Sequence, residues 1–551
     1  MIQRLNIFFE VLPEKLIPWR WWVLLLYVIL MSFLAAGIPR FAFTWANDDM
    51  FGKDDPVQIS LDRIKELFGG TVTLGMVYQP VDGDLFSARS LGALQNIHEV
   101  LEAESSLGAN DPENSLQHLS KVESLINTSF TEVDGDSILF RDFIGEELPS
   151  SAEQSQLLRE QALNEPEYPR VLLSDNMEYG MLVLRTNLDA VPLLEDEFDA
   201  LEGFEENELE GQDEQEPQFV QHGLKDYADF EKQVWNLLSE ERFNKDLVFM
   251  HPSWGAFYEN DVWAVEYLRA LVISLIISLM LTFLLLGSLR AVIWPILIFL
   301  SSIVGVLGLA GWTGWPIDLS LYIAFALVSV AAIADVVHVM SGYLFFHHQG
   351  QHHREVLRSV FSKTALACLL TSITTAIGIF SLYFIKLRVI QTMGLLGGIG
   401  VLFAFVLTVF LLPVLLNGFP PHPPKSNHKP EVTLLLRGVK SLLNGIERIV
   451  TNYPKSVIVF FAAAGLLLIL GIARIEIDTV YSEYYPPDSP VRRSIILIDE
   501  QFLGTGNMEI LLETESEGVF RDPEVLLALE EVKQWIEKRY PELVTHNWTL
   551  N

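Results

Sequence analysis

The stretch Ala332-Ile333-Ala334-Asp335-Val336-Val337-His338-Val339-Met340-Ser341-Gly342-Tyr343 puts a single carboxylate inside an apolar run, Leu319–Phe345, long enough to cross a bilayer. An Asp at the centre of a membrane helix costs about 2.5–3.5 kcal/mol to insert. A residue that expensive is a functional site by default. His338 follows Asp335 by three positions and shares its helix face. Ala331, Ala332 and Ala334 keep the local surface small, so another helix can approach closely. The next apolar run supplies hydroxyls at Thr371, Ser372, Thr374 and Thr375, which read as polar support. The pattern predicts a proton relay through Asp335 and His338. A carboxylate that neutralises on taking a proton alters helix packing, and a charge crossing the membrane releases about 2.3 kcal/mol per 100 mV. The competing reading is a paired polar cluster that only orders the helices.

Six further apolar runs accompany this one: Trp21–Ile38, Leu268–Gly287, Val292–Trp312, Ala365–Phe384, Met393–Leu416 and Ser456–Ile472. Together they predict a polytopic α-helical membrane protein rather than a set of buried core helices. If the spans alternate, one side collects Arg4, Lys15, Arg20, Arg290, Arg354, Arg358, Lys363, Lys425, Lys429, Arg437, Lys440, Arg448 and Lys455. Basic loops stay in the cytoplasm, so the N-terminus is expected there. Lys386 and Arg388 are the exceptions on the other side.

The charge follows the same division. The chain has 551 residues and a net charge of −34. Phe41–Glu266 holds 48 acids against 13 bases, Arg474–Asn551 holds 16 against 7, and the remainder holds 7 against 17. Two acidic exported stretches therefore flank a basic, apolar body, which argues against nucleic-acid binding. The lone Cys368 excludes a disulfide scaffold. No nucleophile elbow, phosphate loop or zinc spacing is present, so neither an enzyme nor a cofactor is expected. His347-His348 and His352-His353 read as a solvated loop rather than a metal site, because no carboxylate or cysteine cluster accompanies them. The acidic run Glu195–Glu216 reads as a solvated loop. Val432–Val450 has one broad apolar face and is expected to lie along the membrane surface.

The chain also repeats itself. Gly37–Tyr78 laid over Gly471–Leu512 without gaps gives 12 identities in 42 positions. They include Arg40 with Arg474, Pro56-Val57 with Pro490-Val491, Phe68 with Phe502, and Gly70-Thr71 with Gly504-Thr505. One residue of slippage later, Leu91, Ala93, Leu94, Ile97 and Leu101 fall on Leu526, Ala528, Leu529, Val532 and Ile536 at helical spacing. The unit is a span, an exported α+β domain, then more spans. The second unit reaches Asn551 inside its exported domain, so the expectation is a truncated chain with an incomplete second half.

This layout resembles the resistance–nodulation–division (RND) superfamily, in particular its MMPL-like exporters. Ala332–Tyr343 is similar to the fourth-span motif of that family and Leu370–Gly378 to its fifth, while Gly394–Pro413 is similar to its sixth span. Spans 2–6 are also similar to a sterol-sensing domain. The resemblance implies a cytoplasmic N-terminus at 1–20, a first span at 21–38 and a periplasmic, porter-like α+β domain at 39–267. It implies a five-span bundle at 268–416, a cytoplasmic linker with an amphipathic helix at 417–455, a span at 456–472 and the start of a second periplasmic domain at 473–551. Asp335 matches the family's proton-carrying carboxylate, although Val336 stands where many relatives place a second Asp or a Tyr. The implied function is proton-motive-force-driven export of lipids or other hydrophobic molecules across the inner membrane. The implied partners are that substrate, membrane lipids and protons, with further copies of the chain or accessory periplasmic proteins as protein partners. The alternatives are a non-transporting sterol- or lipid-sensing protein and a protein-translocation accessory.

Overall fold

The computed structural model describes the chain except residues 1, 41–50, 53–54, 69–71, 109–113, 135–136, 145–147, 166–167, 190–221, 287–288, 316–320, 350, 421–429, 473, 476–479, 507–509, 515–517 and 541–551. The whole acidic run Glu195–Glu216 and the C-terminal tail 541–551 lie outside the described residues. The chain divides into two compact units, each built from two separate segments: Met1–Met50 with Val265–Thr479, and Phe51–Ala264 with Val480–Asn551.

The first unit is helical. With helices numbered along the chain, it holds α1 (Ile2–Leu16), α2 (Arg20–Ala35), α9 (Ala264–Leu286), α10 (Leu289–Thr313), α11 (Leu321–His348), α12 (His353–Phe380), α13 (Arg388–Phe410), α14 (Leu412–Gly418), α15 (Pro430–Asn452) and α16 (Pro454–Ile472). Among the described residues seven helices are long and apolar enough to cross a membrane, one at each of the seven apolar runs. Several extend beyond the apolar run that marks them. α12 starts at His353, a dozen residues before Ala365, because a helix continues into its polar ends after its apolar stretch has stopped.

Close backbone approach holds this bundle. A Cβ on Gly308 of α10 would collide with the Leu34 carbonyl of α2, and one on Gly400 of α13 would meet Val328 of α11 at 2.6 Å. Only glycine lets those helix pairs come so near. Tyr27 and Ser301 add a 2.7 Å hydrogen bond between α2 and α10. α1 belongs to the same core. Phe9, Leu12 and Ile17 are buried with Val356, Val360 and Leu416, and Arg358 of α12 gives two bonds to Glu10, at 2.7 and 2.6 Å. The expectation of a plain cytoplasmic N-terminus at 1–20 did not include this helix.

The second unit mixes helices and sheet. Its elements are α3 (Pro56–Phe68), β1 (Thr73–Pro80), α4 (Ala88–Gly108), β2 (Leu119–Glu123), β3 (Ser129–Asp134), β4 (Ser137–Asp142), α5 (Ala152–Asn164) and β5 (Gly180–Thr186). Then come α6 (Leu224–Leu238), α7 (Glu241–Asn244), β6 (Leu247–Phe249), α8 (Ala256–Tyr258), α17 (Pro490–Gln501) and α18 (Pro523–Arg539). Four strands form an antiparallel sheet in the order β2-β5-β1-β6, with Thr73 opposite Arg185 and Tyr78 opposite both Gly180 and Phe249. β3 and β4 form a separate hairpin. Strand side chains alternate between faces. Leu74, Met76 and Tyr78 are buried on one face, and Val77 joins Met181 on the other, packed against Ile498 and Phe502 of the second segment. The Asp175 amide also donates to the Gln501 carbonyl (2.9 Å), so the second segment completes the packing of the first.

The sequence repeat is visible as matched helix starts. α3 and α17 both begin on the aligned prolines, Pro56 and Pro490. The aligned residues before them cap each helix: Asp55 accepts from the Val57 amide (3.0 Å) and Ser489 from the Arg492 amide (3.1 Å). One element later, Ser87 caps α4 and Asp522 caps α18, accepting at 3.0 Å in each case.

Candidate functional site

α11 carries Asp335 near its middle because nearly every other residue of that helix is apolar or small. Its side chain is buried, at 5 % exposure. The Ser372 hydroxyl of α12 donates to Asp335 Oδ2 at 2.8 Å, and the Cys368 thiol, one turn away on the same face of α12, also hydrogen-bonds this carboxyl. Ala332 and Val336, one turn before and one residue after, are fully buried and make the α11 side of the site apolar. A carboxyl held by two hydrogen-bond donors in an otherwise apolar seam is a site whose charge is costly and whose geometry is fixed.

The other expected residues divide. Ser372 is on the carboxylate. His338 is exposed on α11 and interacts with Asp335 electrostatically, without a hydrogen bond among the described contacts. Thr371, Thr374 and Thr375 lie exposed on α12. Thr371 donates to the Ala367 and Cys368 carbonyls and Thr374 to those of Leu370 and Thr371, all within their own helix. Cys368 was missed, although its position four residues before Ser372 puts it on the same stripe. The paired histidines differ from the solvated loop expected of them. His347 lies in the last turn of α11 and His353 opens α12, where its Nδ1 lies 2.9 Å from the Tyr343 hydroxyl.

A second buried polar cluster lies in the α/β unit. Glu231 of α6 is 1 % exposed and accepts from the Gly255 amide at 3.1 Å and the Phe257 amide at 2.6 Å. Burial pushes its carboxyl up to about 7, the two amide bonds oppose that shift, and the neighbouring Glu259 adds to it. Glu259 opens a π-helical turn, Glu259–Trp263, that leads into α9. It accepts from the Tyr485 hydroxyl at 2.9 Å, and Tyr481 lies 3.0 Å from that hydroxyl. Gly255 has φ +75°, and any side chain there would collide with the Tyr485 hydroxyl, so glycine is required on both counts. Among the described residues no group of three or more His, Cys, Asp or Glu is placed to hold a metal ion.

No curated protein sequence matches the chain. The MMPL family profile matches residues 259–433, a stretch that runs from the π-helical turn past α14 to the start of α15 and contains Asp335, Cys368 and Ser372. The segment that builds the buried carboxylate site is therefore similar to the MMPL family over those residues.

Proposed function

We propose that this protein is a proton-coupled exporter of lipids or other hydrophobic molecules, in which Asp335 takes up and releases the proton. The observation that carries the reading is the Asp335–Ser372–Cys368 seam inside the stretch that matches the MMPL family. A neutral Asp335 sits in the apolar seam without a charge penalty, whereas an ionised one needs every donor around it. The two protonation states therefore favour different separations of α11 and α12, which links proton occupancy to helix packing. In this reading the basic loops are cytoplasmic, the α/β unit is periplasmic and porter-like, and the membrane is the inner membrane. The domain limits at 39–267 and 473–551 belong to the same proposal. Protons and a hydrophobic substrate are the partners. The paired helix starts of the α/β unit support a repeat of the RND type.

The test uses the full chain in sealed vesicles, with a fluorescent phospholipid analogue and a hydrophobic dye as probes. An imposed pH gradient is expected to drive probe movement in the native protein. Asp335→Asn is expected to abolish that movement while insertion and thermal unfolding stay close to native. Native-level, gradient-driven movement by Asp335→Asn removes the proton-site assignment.

A further inference from the structure

We propose that the seam between α11 and α12 is the route by which protons travel between Asp335 and the face bearing the α11–α12 loop, and that Tyr343, His347 and His353 form its mouth. The proposal rests on the proton reading of Asp335. On α12, Ser372, Cys368 and Thr364 recur at every fourth residue, so they form one stripe. The first two hydrogen-bond Asp335. The third lies beside Gly342 of α11, where the absence of a side chain leaves Val360 and Thr364 methyl groups 3.3 and 3.6 Å from a notional Cβ. On α11, Asp335, Val339, Tyr343 and His347 follow the same four-residue spacing toward the loop. Two helical turns, about 12 Å, separate Asp335 from Tyr343. Cys368 and Thr364 line that interval from the facing helix.

The end of this stripe is a relay unit rather than a plain polar end. Tyr343 is 1 % exposed, its hydroxyl is 2.9 Å from His353 Nδ1, and its ring stacks on His347 at 5.8 Å. The His347 Nδ1 atom is buried with no hydrogen-bond partner among the described residues. The charged groups near the mouth include cationic and paired ones, and Glu355 stands two residues after His353 in the first turn of α12. Arg354 interacts with His353, Lys363 lies over the Phe346 ring, and Arg358 is tied to Glu10 and Glu14 of α1. Farther along the stripe the facing titratable groups are Asp335, His338 and Cys368.

The transfer balances with no other reactant. Asp335 loses its carboxyl proton to water in the seam. A proton reaching the Tyr343 oxygen displaces the phenol proton to His353 Nδ1. With Nδ1 accepting, Nε2, which is itself buried, carries the ring proton, and that proton leaves to the loop-side solution when a water reaches this atom. Tyrosine and neutral imidazole each donate and accept at once, which a relay requires.

The experiment follows the Asp335 carboxyl stretch by time-resolved infrared spectroscopy. The full chain is sealed in vesicles with the α11–α12 loop facing the bath, and the pH is jumped on one side only. The band is assigned by its loss in Asp335→Asn. Tyr343→Phe and His353→Gln are expected to slow proton exchange from the loop side by roughly 100-fold. His347→Gln is expected to slow it in the same direction. The titration midpoint of the band and the rate of exchange from the opposite side are expected to stay native. Native-rate exchange in all the variants that insert overturns the mouth, and so does slowing that is equal from both sides, which marks a packing defect. A chain in which Asp335→Asn removes no titrating band overturns the underlying proton reading instead, so the two failures are distinguishable.

Discussion

At the scale of single residues, what matters about Asp335 is what surrounds it. Ser372 supplies a donor at 2.8 Å, and Thr371 and Thr374 spend their hydroxyls on their own helix. Ser372→Ala is expected to lower stability by about 1–2 kcal/mol, because a buried acceptor loses a partner. Thr374→Ala is expected to stay within about 0.5 kcal/mol of native, since its side chain is exposed. Thermal unfolding in detergent compares the two. Glu231 makes a prediction of opposite kind. Its carboxyl is raised from an ordinary 4.5 to about 7, so the folded state holds that proton more tightly than the unfolded state. Its contribution is fully present below about pH 4.5 and is lost as pH rises through about 7, with a total on the order of 3 kcal/mol. Hydrogen exchange at α6 and residues 255–263 should therefore quicken between those values. Glu231→Gln should flatten that slope, and an unchanged slope in the variant assigns it to another group. Asp335 was legible because charge in an apolar run is costly wherever it occurs. The Glu231 cluster was not, because its members come from positions near 231, 259 and 485 and only folding joins them.

At the scale of elements, the helix caps are signals that the sequence reading leaves unused. Asp55-Pro56, Ser489-Pro490, Ser87 and Asp522 are local signals, and each marks the start of a helix that the repeat had already paired. The paired starts turn a weak sequence identity into a structural repeat. α1 shows the converse. Ile2, Leu5, Phe9, Leu12 and Leu16 have helical spacing, yet the segment is too short and too charged to register as a span, so its helix went unread. Side-chain packing joins α17 to the sheet, and this can be measured. Phe502 is 1 % exposed against Val77 and Met181. Phe502→Ala is expected to cost about 3–5 kcal/mol and to raise protease cleavage within 490–502. Native resistance to cleavage would mean that α17 does not depend on this contact.

At the scale of the whole molecule, each of the seven apolar runs coincides with a helix long enough to cross a membrane, and the basic loops predict a direction for them. The direction has its own test, helped by the single native Cys368 being buried. Ser150 and Ser441 are both exposed, one in the α/β unit and one on α15. Ser150→Cys is expected to react with a membrane-impermeant maleimide on spheroplasts, and Ser441→Cys only after lysis. The reverse pattern would invert the topology. What apolarity could not convey is that each unit is assembled from two distant segments, because hydropathy reports where chain enters lipid and says nothing of which outside segments meet.

That interleaving has a consequence for biosynthesis. The sheet face of Val77 and Met181 emerges early, while the helix that covers it starts at Pro490. Between Phe249 and Pro490 the ribosome must add roughly 240 residues, which takes on the order of 10–50 s at ordinary elongation rates. Throughout that interval an oily strand face waits uncovered while six more helices are being threaded into lipid. The nascent protein thus passes through an obligatory sticky stage, and the cell's holding chaperones are the natural shelter for it.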